Sequence, residues 1–414
     1  MTKFLKLTCL VSIILIAGCT KDKSQQIKEQ SAETQKRVNI PGITFSPASA
    51  LYGSAITING SFSTTPGANV VKINGVTGII NSVAADKIVV TVPVTATTGK
   101  ISVTANSVTT TSATDFKVLK LVKEGSKPTG FYVNRLSFDR SGNGTTYFIG
   151  GFAPVVKKMT AAGVVSTIYS LLPGKHYGPN HDEYYTITDV ENDGLGNVYF
   201  TRNRYRDTAY QIEFGYNAYP VIKSSVVLKI NAAGQVSPFV GDGRGAKFWE
   251  LQKIVLDIKG HNILLYHTAL PNFQYLTKIN QSGVAEEINA PVQNNELCPD
   301  EDGNYYTMLN YDLKKVSING VVTHVAGSGV GGTTDGASDV ARFYPSSTLA
   351  VDDNAKNIFV TNGGGAVRLV NAAGYVTTLP VSISSISSNQ MYFNRFTNKL
   401  VINYRTEIHQ YGLK

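Results

Sequence analysis

Cysteine is scarce. The 414-residue chain carries three, Cys9, Cys19 and Cys298. Two of them fall within the first twenty positions, so no disulfide framework can staple the body together. Cys298 stands alone, and its simplest reading is a small buried hydrophobe. There is a single tryptophan, Trp249. Charge is sparse too. Lys, Arg, Asp and Glu make up 16% of the residues, and the formal net charge of +9 is spread along the chain. No dense Lys/Arg patch of the kind nucleic acid demands is present, so nucleic acid is not an expected partner. Beyond the first segment, no apolar run approaches the roughly 20 residues that a membrane-spanning helix needs. A nucleophile elbow, a P-loop and a dinucleotide fingerprint are all missing from any credible context. The glycines at 327 to 332 lie between predicted strands with no helix after them, which argues against phosphate cradling. What is there is 42% hydrophobic residues and a length sufficient for two or three folded domains.

The N-terminal segment is the exception to the even texture. Lys3 and Lys6 supply positive charge, and Leu7 to Ile16 is apolar apart from Thr8 and Ser12. It is too short to remain in a bilayer and reads as the core of an export signal. It ends Ile16-Ala17-Gly18-Cys19, which resembles the lipobox of bacterial lipoproteins. The resemblance implies a signal peptide over 1–18 and lipidation of Cys19. Residues 20 to 38 are polar, charged and almost free of large apolar groups, predicting a flexible tether over 19–38. Thr20 follows the cysteine where an Asp would favour inner-membrane retention. An outer-membrane location, surface-displayed or facing the periplasm, is therefore expected, with the membrane contacted through the lipid only.

Residues 39–120 predict short strands with tight turns. Ile56 and Ile58, Ile88, Val90 and Val92, and Ile101 and Val103 alternate with other residues, punctuated by Pro47, Gly53, Gly60, Gly75, Pro93 and Gly99. The run ITFSPASALYGSAITINGSFS, then VVKINGV, IVVTVP, TGKISVTA and DFKV, resembles an IPT/TIG domain over residues 43 to 118. That resemblance implies an immunoglobulin-like sandwich serving as spacer or interaction module.

Residues 121–414 repeat. RLSFDRSGNGTTYFI, TDVENDGLGNVYFT, KIVLDIKGHNILLYH, ELCPDEDGNYYTML, TLAVDDNAKNIFVT and QMYFNRFTNKLVIN share an apolar strand, an Asp or Asn, a polar turn and a second strand. The markers are Asp139, Asn192, Asp257, Asp300, Asp352 and Asn394. Most are followed by a second hairpin such as VLKINAAGQVSPFV. Four strands per repeat predict an all-β fold, a six-bladed β-propeller after the N-terminal sandwich. The last repeat lacks its final hairpin, so strands from 121 to 133 are expected to complete it. Residues 320 to 379, and more weakly 241 to 257, resemble NHL repeats. IPT/TIG followed by NHL-like repeats on a lipoprotein is similar to surface proteins of Bacteroidetes-type bacteria, some linked to glycan use.

A meander sends alternate turns to opposite faces of a disc. One set is uniformly short and rich in Gly, Asn and Asp, as φ > 0 turns require. The other carries 172 to 185, 202 to 224, 241 to 250, 267 to 275, 309 to 312 and 327 to 347. Binding concentrates on such long loops. The candidate ligand-binding residues are Tyr177, Tyr184, Arg202, Arg204, Tyr205, Tyr216, Trp249, His267, Phe273, Tyr311 and Arg342. Rings offer flat faces to sugar CH groups, and guanidinium groups offer planar donors to hydroxyls and carboxylates. Each ring could instead serve packing. An enzyme would need a constellation, for which His176, His181, Asp182 and His267 are the candidates, although the spacing matches no recognised metal site. The expectation is a non-enzymatic binder of poly- or oligosaccharide, without cofactor, metal or catalytic residues. A protein–protein module of an envelope complex and a propeller-fold polysaccharide lyase are the alternatives.

Overall fold

Period-two alternation buries one side of each N-terminal strand. Ile56, Ile58, Ile88, Val90, Ile101 and Val103 are each at most 2% exposed. In the computed structural model, which describes residues 42–150, 154–171, 183–206, 221–241, 248, 250–257, 262–269, 273–280, 282–288, 290, 297–300, 302–344, 348–352, 354, 356–362, 365–382 and 390–414, every regular element is a strand. Thr44–Ser46, Ala55–Asn59, Lys87–Thr91 and Ile79–Val83 form one antiparallel sheet. Ser49–Leu51, Val108–Leu119, Gly99–Ala105, Asn69–Ile73 and Val76–Thr77 form the next. The two share a core in which Phe116 sits edge-on to Phe45, ring centroids 5.7 Å apart.

Six further sheets follow among the described residues, and each is an antiparallel meander. Their first strands are Val133–Phe138, Val190–Asn192, Glu250–Leu256, Cys298–Pro299, Leu349–Asp352 and Gln390–Asn394. These first strands neighbour one another in chain order. The sixth sheet in turn abuts the first, sharing a core of Val401 and Ile408 with Val133, Leu136 and Phe148. Its fourth strand comes from the other end of the region: Leu121–Pro128 pairs antiparallel with Glu407–Leu413. The architecture is of β-propeller type.

The repeated markers have a local reason. Asp139, Asn192, Asp257, Asp300 and Asn394 each hold their turn by accepting backbone N–H groups two to five residues on. Asp139 Oδ1 accepts Ser141 N at 2.7 Å, and Asp300 Oδ1 accepts Asp302 N at 3.0 Å and Asn304 N at 2.9 Å. Asn192 accepts Gly194 N, Asp257 accepts Asn262 N, and Asn394 accepts Phe396 N. The outer hairpins reuse the device, with Asn231, Asn280 and Asn371 each accepting two such amides. Several connections differ from expectation: 183–185, 202–206, 221–224, 267–269 and 273–275, grouped above with the long loops, lie in strands. Residues 309 to 312, grouped above with the long loops, form a two-residue turn with Asn310 at φ 51° and Tyr311 at φ 66°. Two positive φ values give the twist that a tight hairpin needs.

Gly42–Lys414 make up one compact unit. The N-terminal sheets dock on the short-turn end of the fifth and sixth meander sheets. Asn357 Nδ2 donates to Ser54 Oγ at 2.9 Å, and Asn371 Nδ2 donates to Gly53 O at 3.1 Å and Thr91 Oγ1 at 2.9 Å. Leu51 and Tyr52 join one apolar cluster with Leu369, Leu379, Met391 and Leu400. The long-connection face of the propeller points the other way.

Candidate functional site

On the long-connection side, the second meander sheet outgrows its neighbours. Val198–Arg206 and Val221–Ile230 run nine and ten residues, and Glu183–Thr186 pairs along the extension. Strand alternation splits the side chains of this extension into two sides. Val198 and Phe200 pack against Tyr147 and Ile149 of the first sheet. Arg202 and Arg204 continue that side, both half-buried. Tyr185, paired with Arg204, lies with them, and the Arg202 guanidinium sits 5.6 Å from the Tyr185 ring centroid. This patch joins one ring to two cations.

The opposite side holds Asn203 and Tyr205. Tyr184 stacks on Tyr205, with centroids 5.0 Å apart and planes 8° from parallel. Tyr205 Oη donates to Glu250 Oε1 at 2.7 Å, and burial first, then Glu250, pushes the phenol pKa up. The Asn203 amide grips Leu251 at both ends, donating to its O at 2.9 Å and accepting its N at 3.0 Å. His267, paired with Leu251, is 8% exposed. Its Nε2 lies 3.0 Å from Thr277 Oγ1, and Phe248 meets its ring edge-on at 5.1 Å. Burial lowers the imidazole pKa to about 4, so it is neutral at physiological pH. The second and third sheets thus gather Tyr184, Tyr205 and His267 on one side, with Arg202 and Arg204 on the other side of the extension.

Tyr311 and Arg342 belong to another. Tyr311 is 38% exposed and its ring flanks Gly331, while the Arg342 side chain flanks Gly332. The Gly-rich segment here folds around Arg368, which is fully buried. Arg368 donates to Asp335 Oδ1 from Nε at 3.0 Å and from Nη2 at 2.7 Å. It also donates to the carbonyls of Thr334 and Arg342, and lies over the Phe343 ring. Asp335 in turn accepts Thr378 N at 2.7 Å and Thr378 Oγ1 at 2.9 Å. A guanidinium from the sheet fills the space under the glycines. Tyr177, Tyr216 and Trp249, and likewise His176, His181 and Asp182, lie outside the described residues, as does the Phe273 side chain. Phe273 itself begins the strand Phe273–Asn280.

A second feature lies where the six first strands converge. A cavity of about 150 Å³ is lined by residues of all six meander sheets, among them Arg135, Glu191, Lys253, Cys298, Val351 and, from the sixth, Gln390, Tyr392 and Arg395. Arg140 spans its short-turn end, donating to Asp257 O at 2.8 Å and Leu256 O at 3.0 Å. Arg140 Nη2 also stands 3.5 Å from Glu191 Oε2. Burial raises the Glu191 pKa, opposed by Arg140. Burial likewise raises that of Asp189 to about 6, opposed by Arg135 and Lys253. Among the described residues, no group of three or more His, Cys, Asp and Glu side chains could hold a metal ion.

No family model matches the chain, and no curated protein matches it in sequence. Solved structures resemble it at low identity. A Bacteroides thetaiotaomicron protein of unknown function shares 14% identity at TM-score 0.48, over 90% of this chain and 98% of the other. An auxiliary nutrient-binding protein of the same organism shares 13% at TM-score 0.45, over 89% and 96%. A virginiamycin B lyase from Staphylococcus aureus shares 14% at TM-score 0.40, over 72% and 100%. No residue of this chain takes a role from any of them.

Tyr185, rather than its neighbour Tyr184, shares a side with Arg202 and Arg204. The period-two register with Arg202 and Arg204 was the available signal. Arg135, Glu191 and Lys253 carried no local signal, since only the return of the sheet succession brings their strands together.

Proposed function

We propose that this chain is a lipid-anchored binding protein of the cell envelope that holds a glycan on the long-connection face of its propeller. In this reading Cys19 carries the lipid and 19–38 is the tether. Residues 39–120 form an IPT/TIG-type immunoglobulin-like spacer, and residues 121–414 an NHL-like propeller of six blades. The observation that carries the ligand assignment is the half-buried patch of Tyr185, Arg202 and Arg204 on the extension of the second sheet. A ring beside two planar cations suits a sugar bearing carboxylates, which takes CH–π stacking and paired hydrogen bonds together. Tyr184, Tyr205 and His267 back the patch from behind, while Tyr177, Tyr216, Trp249, Phe273, Tyr311 and Arg342 complete the face.

The buried, neutral His267 is tied to Thr277, which favours a structural role over a catalytic one. The test is an affinity-gel series of the protein with neutral and acidic polysaccharides, with unsaturated product read in the ultraviolet. Retardation by an acidic polysaccharide without product, lost in Arg204→Ala and Tyr185→Ala, is the expected result. Product formation makes the protein a lyase. Silence on both refutes the glycan assignment and turns attention to an envelope protein partner.

A further inference from the structure

A second meeting of rings and cations lies at the seam where the sixth meander sheet meets the first. Two connections converge there at the long-connection end. Residues 129–132 lead from Leu121–Pro128 into Val133–Phe138, and 404–406 join Lys399–Asn403 to Glu407–Leu413. Hydrogen bonds fix both. Val133 N donates to Arg405 O at 2.6 Å, Thr129 N donates to Thr406 O at 3.0 Å, and Asn403 Oδ1 accepts Arg405 N at 3.0 Å. A side chain at Gly150 would strike the Tyr132 carbonyl. Arg405 takes a left-handed φ of 68°, which a non-glycine residue rarely adopts unless its surroundings impose it. In that conformation its guanidinium sits 5.1 Å from the ring centroid of Tyr132, which is 38% exposed. Lys157 Nζ sits 4.3 Å from the centroid of the adjoining Phe131. The acid at the end of this turn, Glu407, has its Oε2 2.9 Å from His409 Nε2.

We propose that this seam is a second subsite for the glycan of the long-connection face, a role that rests on that face binding glycan at all. The ligand is then a chain of uronate residues held at two places. Each place combines an aromatic ring with two cations: Tyr185 with Arg202 and Arg204, and here Tyr132 with Arg405 and Lys157. Repeated chemistry suits a polymer of repeated units. The exposed Tyr132 ring takes the CH face of a sugar, and the two cations take its carboxylate. A guanidinium carries five donors in one plane, so Arg405 can serve the protein and a ligand together. The first sheet stands between the two places. Sheets pack about 10 Å apart, more than one sugar ring spans, so a single molecule reaches both only as an oligomer. A protein partner fits less well, because the exposed neighbours Gly130, Asn134 and Thr406 add no apolar area around the ring.

The test uses the full-length protein in detergent, titrated calorimetrically with galacturonate oligomers from dimer to octamer. Each parent chain should bind two dimers. Affinity should rise about 100-fold from dimer to octamer, because the second contact is then made within one complex. Arg405→Ala should bind one dimer and lose the rise, at an unchanged melting temperature. Arg204→Ala, which weakens the first place, should also leave one dimer. The proposal falls if the parent protein binds one dimer with no rise in affinity, or if folded Arg405→Ala keeps both dimers and the rise. The ring–cation pairs of the seam are then packing alone, and the glycan reading stands. Binding of no oligomer, whatever its length, removes the glycan reading and this subsite together. Should Arg405→Ala fail to fold, Arg405→Asn decides in its place, since Asn tolerates a positive φ.

Discussion

The Asp335–Arg368 pair invites the most exposing perturbation, Asp335→Asn. The substitution keeps the shape and one carbonyl oxygen but removes the charge opposite a guanidinium only 1% exposed. Breaking a buried pair from one side costs about 3–5 kcal/mol when both partners are dry. Asp335 is 38% exposed, and water there replaces part of the lost interaction, so about 2 kcal/mol is expected. The damage should be local. Arg368 holds the Gly-rich segment from beneath, and Asp335 ties that segment to Thr378. Native-state hydrogen exchange reads it directly. The amides of Gly332 and Arg342, which donate to Phe343 O and Thr334 O, should exchange about 30-fold faster, as about 2 kcal/mol implies. Amides of the strand Asn357–Asn362 serve as the internal reference and should hardly move. Protection unchanged within threefold at Gly332 and Arg342 would refute the reasoning, because the guanidinium would then hold the segment without its counter-charge.

Other outcomes follow from the same geometry. Asn371→Ala removes two hydrogen bonds to the N-terminal sheets and two turn-capping ones, and should cost about 2–4 kcal/mol, read as an earlier, separate calorimetric transition of residues 42–120. Gly53→Ala places a methyl 3.0 Å from Leu369 Cδ2 at φ +83°, so about 1–3 kcal/mol of loosening is expected in the same scan. His267 is a base whose pKa is about 4 when folded, below its unfolded value. The unfolded chain therefore gains the proton first, and stability falls as pH drops from about 6.5 to about 4. The difference in unfolding free energy between the parent protein and His267→Gln should show this slope. Asp189, raised to about 6, contributes the opposite slope, losing stability as pH rises through 6, and Asp189→Asn should remove it.

Legibility in the sequence followed locality. The marker residues Asp139, Asp300 and Asn394 act within five positions of themselves, so their repetition marks out the meander units in the sequence itself. Ile56, Ile88 and Ile101 were readable as core because alternation is a property of each strand alone. The pairing of Leu121–Pro128 with the C-terminal strand was deducible from the last repeat's missing strand. The bond from Asn371 to Gly53, 318 positions apart, was not, and neither was the Asp335–Arg368 support under what looked like a bare glycine run. Likewise, Arg135, Glu191 and Lys253 look like ordinary strand residues until the sheets return on themselves. At the site, a choice between adjacent tyrosines turned on a register that Arg202 and Arg204 already encoded.

The pairing of Leu121–Pro128 with Glu407–Leu413 also sets an order of events during synthesis. The strand that completes the sixth sheet is made before the other five meander sheets, and its partner only after them. Until then Leu121–Pro128 carries an unpaired edge, as does Lys399–Asn403 once it is made, and such edges invite pairing with other chains. A chain that stops before Glu407 can build five complete meanders and still never close. Quality control that senses an open strand edge would therefore be reading, in effect, whether Glu407–Leu413 has been made.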